Sequence, residues 1–123
     1  MSYLDKITDI YTLLGEGKAM DAFEKYYHED VVMIEATGER FAGKDENRKR
    51  EEGFFGSIAE FHGAGVDAIT SNEDNATTMV ENWMEVTFQD GNRIKMAQIA
   101  RQKWSGDHII EERFYYNPNT FGA

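Results

Sequence analysis

From Gly65 onward the chain reads as antiparallel sheet, with a long alternating strand over 77–88, and two hairpin signals punctuate it. These are Asp90-Gly91 and Ser105-Gly106-Asp107, short Gly-containing turns of the kind that join antiparallel strands. They divide the second half into expected strands at 77–88, 93–104 and 108–116. A further strand at 66–71 precedes the turn Asn72-Glu73-Asp74-Asn75. The first half reads differently. Leu4, Ile7, Tyr11 and Leu14 fall on one helical face with Ile10 beside them, and Gly15 and Gly17 stop that helix. A second helix is expected over 18–27, with Met20, Phe23 and Tyr27 as its apolar stripe. A strand follows at 31–35, a short one near 40–41, and a third helix over 45–61. Helices early and a meander of strands late predict an α+β fold, with the helices covering one face of a curved sheet.

Alternation also assigns faces. In 77–88 the even set Val80, Asn82, Met84, Val86 and Phe88 is the more apolar and should face the helices. In 93–104 the uncharged set Met96, Gln98, Ala100, Gln102 and Trp104 is taken as inward. In 108–116 neither Ile110, Glu112, Phe114 and Tyr116 nor the opposite set is cleanly apolar. Asn82, Gln98, Gln102 and Glu112 thus fall on faces that ought to be core. Buried polar groups are costly unless paired, so their convergence points to a wet, shaped cavity. The alternatives are a slipped parity in one strand or a position at the rim.

Two further features point the same way. The third helix carries Phe54, Phe55, Ile58 and Phe61, and extending that stripe backwards reaches Glu51 and Asn47. Such a helix either lines a cavity mouth or simply emerges from the core. The apolar strand Val31-Val32-Met33-Ile34 ends on Glu35, a carboxylate aimed either at water or into a cavity, where its proton affinity would rise. The 8 Phe, 6 Tyr and 2 Trp are many for 123 residues and suit a lined pocket as well as a core.

Composition excludes some partners. With 23 acidic against 13 basic residues the formal charge is −10, which disfavours nucleic acid and anionic membranes. Arg48-Lys49-Arg50 lies among Asp45, Glu46, Glu51 and Glu52 and reads as a salt-laced helix face. Cysteine is absent, so disulfides and thiolate metal sites are excluded. No HExxH pattern occurs, and no metal site is expected. His28, His62 and His108 are expected to be solvated. The start of the chain lacks the layout of a signal peptide, and no apolar run approaches the ~20 residues that span a bilayer. A single domain over 1–123 in the cytoplasm is therefore expected.

Ala22-Phe23-Glu24-Lys25-Tyr26-Tyr27-His28-Glu29-Asp30-Val31-Val32, then Glu35-Ala36-Thr37-Gly38, then Phe41-Ala42-Gly43-Lys44-Asp45, resemble the nuclear transport factor 2-like superfamily. Ile109 to Tyr116 add to the likeness. Within that superfamily the chain is most similar to the SnoaL-like polyketide cyclase and ketosteroid isomerase branch. The resemblance implies a cone-shaped α+β roll, with three N-terminal helices on a strongly curved, mainly antiparallel sheet enclosing one pocket. It also implies a homodimer through the outer sheet face, where Met79 and Trp83 would lie.

In ketosteroid isomerases an aspartate base stands where Glu35 falls here. A tyrosine that donates to the enolate oxygen stands where Tyr11 falls, at the same separation. Their second oxyanion donor, an aspartate on a late strand, corresponds to Ala100 and is missing, while Tyr116 matches an aromatic that packs on the ligand. The implied function is a cofactor-free acid–base isomerase or cyclase acting on a small apolar or polycyclic molecule. Glu35 and Tyr11 would be catalytic. Asn47, Glu51, Phe55, Asn82, Gln98, Glu112, Phe114 and Tyr116 would bind the ligand. A non-catalytic ligand-binding or dimerisation module on the same fold is the alternative. A third possibility is a hydrolase that sets Glu35, Arg101 and Glu112 around a water. Glu112 could equally pair with Arg101 or Arg113 across strands.

Overall fold

The computed structural model describes residues 1–119. Helix α1 (Tyr3–Gly15) and helix α2 (Ala19–Tyr26) come first, then β1 (Tyr27–Ile34) and β2 (Arg40–Ala42). Helix α3 (Lys44–Gly56) follows, then β3 (Ile58–Asn72), β4 (Thr77–Phe88), β5 (Arg93–Ser105) and β6 (His108–Tyr115). The strands form one six-stranded sheet in the order β2-β1-β6-β5-β4-β3. All neighbours are antiparallel except β1 and β6, which run parallel and close the first half of the chain onto its end. The fold is thus α+β, as the element pattern predicts, with β1 and β2 lying between the second and third helices.

Local chemistry explains the boundaries. Ser2 caps α1: its hydroxyl accepts from the Asp5 N–H while the Asp5 side chain accepts from the Ser2 N–H. Glu73, from the β3–β4 turn, accepts from the N–H groups of Tyr3 and Leu4 and brings a negative charge to that helix start. The hairpin turns fall at Gly91 and Gly106, both with positive φ.

The third helix is shorter than its sequence pattern suggests. It stops at Gly56, and residues 58–61 belong to β3, which is correspondingly longer than the expected 66–71. Two glycines, Gly53 and Gly56, in the last turn remove the helical advantage there, while pairing with β4 rewards an extended chain. Phe61 and His62 are consequently strand residues. The His62 Nε2 lies 2.7 Å from the Thr87 hydroxyl, so this histidine is not simply solvated. Tyr27 begins β1 instead of ending α2.

The core lies between the first two helices and the sheet. Ile7, Ile10, Ala22, Phe23 and Tyr26 pack against Val31, Met33, Val80, Trp104 and Ile109. The expected inward sets of β4 and β5 do face this side: Val80, Val86, Met96, Ala100, Gln102 and Trp104 are buried. The mixed pattern of β6 has a structural cause. Glu111 pairs with Lys103, yet Ile109 pairs with Trp104, so Ile110 is an extra residue in a bulge. The bulge lets both Ile109 and Glu112 point inward. Three register shifts in β3 bend that edge strand in the same manner.

On the outer face the Trp83 indole lies across its own sheet over Gly63 and Gly65, with the Lys95 ammonium 4.6 Å from its ring centroid. A Cβ at Gly65 would sit 2.5 Å from Trp83 Nε1. Gly65→Ala should therefore destabilise the fold by about 1–3 kcal/mol through overpacking. Gly53→Ala, in open space on a helix, should stabilise it by about 0.5–1 kcal/mol. Urea denaturation of the two variants measures both.

Candidate functional site

Between the helices and the concave side of the sheet lies a cavity of about 1560 Å³. Its interior carries Tyr11 from α1, Arg50, Glu51, Phe54 and Phe55 from α3, and Glu35 at the end of β1. The sheet adds Asn82, Gln98, Glu112 and Phe114, with Tyr116 just beyond β6. Phe61 and Val66 of β3, 54% and 44% exposed, stand at the mouth. The aromatic wall is built edge to face: Phe54 meets Phe55 at 5.2 Å and Phe88 at 5.9 Å between ring centroids.

The floor is a buried polar chain. Trp104 Nε1 donates to the Thr78 hydroxyl at 3.0 Å, which donates to Gln102 Oε1 at 2.7 Å. Gln102 Nε2 donates to Glu112 Oε2 at 2.7 Å, and the Tyr27 hydroxyl donates to Glu112 Oε1 at 2.5 Å. Glu112 is 3% exposed, and burial raises its pKa to about 7 against the opposing pull of the two hydrogen bonds. The Glu35 charge raises it further. Burial and the Glu112 charge push the Tyr27 hydroxyl well above the usual phenol range.

Tyr11 is placed as a donor. Asn82 Nδ2 donates to its oxygen at 3.1 Å, and Gln98 reaches Asn82 Oδ1 at 3.5 Å. No acceptor among the described residues takes the Tyr11 proton, so it remains available to the cavity. Burial first, then the charges of Glu112 and Glu51, raises the Tyr11 pKa far above the phenol range and keeps the proton in place.

Glu35 and Tyr11 line the same cavity, but Glu35 is already engaged. Arg50 Nη2 donates to Oε1 at 2.5 Å, and the Tyr116 hydroxyl donates to Oε2 at 2.7 Å. Arg50 is oriented by Asn47 Oδ1 at 3.0 Å and by the Phe41 ring, 3.6 Å from the guanidinium carbon. Arg50 therefore does not belong to the solvated helix face that its charged neighbours suggest, whereas Arg48 does, pairing with Glu24 and Asp45. Burial and the hydrogen bond to Glu35 push the Tyr116 pKa up to about 12.

Glu51 is the carboxyl left over. It makes no hydrogen bond or ion pair among the described residues. Enclosure first, then the charge of Glu112, raises its pKa to about 7; Arg50 opposes this and Glu35 adds to it.

Two expectations are corrected. Asn47 is fully buried but does not line the cavity: its Nδ2 donates to the carbonyls of Phe41 and Gly43, fixing the entry into α3. Glu112 does not pair with Arg101 or Arg113. Arg101 instead pairs with Glu111, one residue along β6 and so on the opposite face of the sheet, so Glu35, Arg101 and Glu112 form no common site. Ala100, where the resemblance already implied a missing donor, is fully buried. Arg50 and Tyr27 are the residues that sequence reasoning missed. The helical spacing from Glu51 and Phe54 back to Arg50 and Asn47 was the available signal for Arg50. Among the described residues no group of His, Cys, Asp or Glu is placed to hold a metal ion, and no helix is long and apolar enough to cross a membrane.

A sheet curled over two helices, with one polar-floored cavity inside, defines a known class of α+β domain. The family model for the SnoaL-like domain matches residues 3–116, and the chain belongs to that family. Solved structures agree. A proposed SnoaL-like polyketide cyclase [carbohydrate phosphatase] from Mesorhizobium loti is 27% identical, with a TM-score of 0.82, covering 94% of this chain and 100% of that one. A proposed polyketide cyclase from Pseudomonas putida is 18% identical, with a TM-score of 0.81 over 98% of this chain and 96% of that one. An LEH-like epoxide hydrolase from M. tuberculosis is 13% identical, with a TM-score of 0.76 over 96% and 84%. The last two show likeness of fold alone. A search of curated proteins finds no match.

The raised carboxyls predict an unusual pH dependence of stability. Glu51 and Glu112 bind protons more tightly folded than unfolded, so between about 4.5 and about 7 the folded state holds more protons. Their contribution is fully present below that window and is lost as pH rises through it. Glu51→Gln should flatten this fall and be more stable than wild type at about pH 8, by roughly 1–3 kcal/mol. Thermal or urea melts across pH measure it.

Proposed function

We propose that this protein binds a small, mainly apolar carbonyl compound and acts on it as a cofactor-free acid–base isomerase or cyclase. The observation that carries this reading is the Tyr11 hydroxyl, which accepts from Asn82 and so keeps its own proton for the cavity. A donor fixed in advance beside a developing oxyanion is the largest single contribution to enolisation in such sites. The proton acceptor needs a pKa near the working pH and a free oxygen. Glu51 meets both conditions. Glu35, expected as the base, has one oxygen on Arg50 and the other on Tyr116. Its role is then to hold Arg50 and Tyr116 at the cavity wall. The phenyl rings of Phe54, Phe55 and Phe114 supply apolar contact for the remainder of the ligand.

The steps follow from these positions. Glu51 in its ionised form takes the proton from the carbon next to the carbonyl. Tyr11 donates a hydrogen bond to the enolate oxygen. Glu51 then returns the proton to a second carbon, or the enolate carbon adds to a second carbonyl carbon of the same molecule, closing a ring as that C=O π bond opens, and Glu51 gives its proton to the alkoxide formed. With no second oxyanion donor at Ala100, the enolate relies on Tyr11 alone, which favours substrates more acidic than simple ketones.

Ligands extracted from the purified protein, followed by incubation of those bearing a carbonyl in D2O, test the proposal. Wild type should wash deuterium into the carbon next to the carbonyl. Glu51→Gln should slow the exchange by about 100-fold or more, and Tyr11→Phe by roughly 10–1,000-fold. Binding without exchange, in wild type as in the variants, would leave a binding module in place of an enzyme.

The outer sheet face exposes Met79, Ile99 and Tyr115. We read this face as the seat of a second copy of the chain. Sedimentation should give a dimer that Met79→Lys with Ile99→Lys converts to monomer.

A further inference from the structure

We propose that the ligand carries a positively charged nitrogen, seated in the cavity between Glu51 and Glu112. The inference rests on the cavity's being the ligand site, and it names the charge class of what enters.

The argument is one of missing countercharge. Among the described residues the cavity lining holds the carboxyls of Glu35, just after β1, Glu51 of α3 and Glu112 of β6, with Arg50 the cation beside them and Lys18 at the rim. Arg50 is spent on Glu35. Glu112 has only neutral partners, Tyr27 and Gln102. Glu51 has none among the described residues, although it is enclosed by protein. The rim repeats the imbalance, with Glu16, Asp21 and Asp90 against Lys18. Buried carboxylates are ordinarily paired with cations, and an enclosed carboxyl without a partner is costly when ionised. A cationic ligand would supply the missing partner.

Geometry selects an organic cation over a metal ion. The carboxyls of the described residues are not grouped to share one metal. Glu51 stands one helical turn before Phe54 and Phe55, and all three line the cavity, where aromatic faces attract alkylammonium groups. Tyr11 and Tyr27 complete the groups around the two carboxyls, and both stay protonated, so they add no competing charge.

A neighbouring cation lowers the pKa of Glu51, so the ligand is held best by the ionised carboxyl. Binding at neutral pH then expels a proton from the cavity.

Benzylamine and benzyl alcohol, nearly equal in shape, form the test pair, titrated calorimetrically into the wild-type protein. At about pH 8 the amine should bind at least about tenfold more tightly than the alcohol, and at about pH 5 that advantage should disappear as the carboxyls protonate. Near pH 7, buffers of different ionisation enthalpy should reveal proton release with the amine and none with the alcohol. Glu51→Gln should bind the two alike at every pH, with alcohol affinity retained. Equal binding of both by wild type, or an amine preference that survives in Glu51→Gln and in Glu112→Gln, would overturn the proposal while leaving the pocket reading intact. Binding of neither probe would overturn both.

Discussion

The hydrogen bonds that converge on Glu112 hold the inner face of the sheet together. Through Gln102, Thr78 and Trp104 they cross β6, β5 and β4, and through Tyr27 they reach the parallel neighbour β1. Every member is buried, so each bond is made in surroundings where an unmade one is costly. The chain also fixes where the cavity lies. Below it the sheet is apolar and packs on α1 and α2; above it stand Tyr11, Asn82 and Gln98. The fold thus keeps these polar groups inside by pairing them with one another.

That arrangement separates three carboxyls that look equivalent as residue types. Glu35 is neutralised by Arg50 and held by Tyr116. Glu112 is held by neutral donors and serves the architecture. Glu51 is held by nothing among the described residues, and enclosure makes its proton affinity responsive to what enters. Among the described residues the cavity thus holds a hydroxyl whose proton has no acceptor, that of Tyr11, and a carboxyl without a hydrogen-bonding partner, that of Glu51. Structures with the same fold carry names as different as polyketide cyclase and epoxide hydrolase, so the sheet and helices do not by themselves fix a function.

Much of the fold was legible because its elements obey local rules. Hairpin turns at Asp90-Gly91 and at Gly106 announce themselves by turn chemistry, and period-two alternation assigned the inward faces of β4 and β5. Where legibility failed, a non-local term won. The end of α3 yielded to strand pairing with β4, because two glycines left the helix little to lose. The bulge at Ile110 hid the parity of β6, since one extra residue moves the rest of the strand to the other face. Of the cavity residues, Asn82 and Gln98 could be placed from alternation, while Tyr11 was expected there from the family resemblance. Asn47 was misplaced, because periodicity gives a direction and not a partner, and backbone carbonyls at Phe41 and Gly43 claimed its amide. Arg50 was read as solvated from the charges beside it, yet its length lets it fold back over Phe41 to Glu35.

The sequence by itself determined the α+β class, the order of helices before the meander, the polar residues on the inner face and the acidic balance of the whole chain. These follow from periodicity, turn residues and composition, which act over a few neighbours at a time. Only the tertiary structure decided which carboxyl has a partner. The parallel docking of β1 beside β6 brings Tyr27 to Glu112, and the seating of α3 on β1 brings Arg50 to Glu35. Proton affinity depends on enclosure and on charges that arrive from distant parts of the chain. No local pattern could therefore tell Glu51 from Glu35.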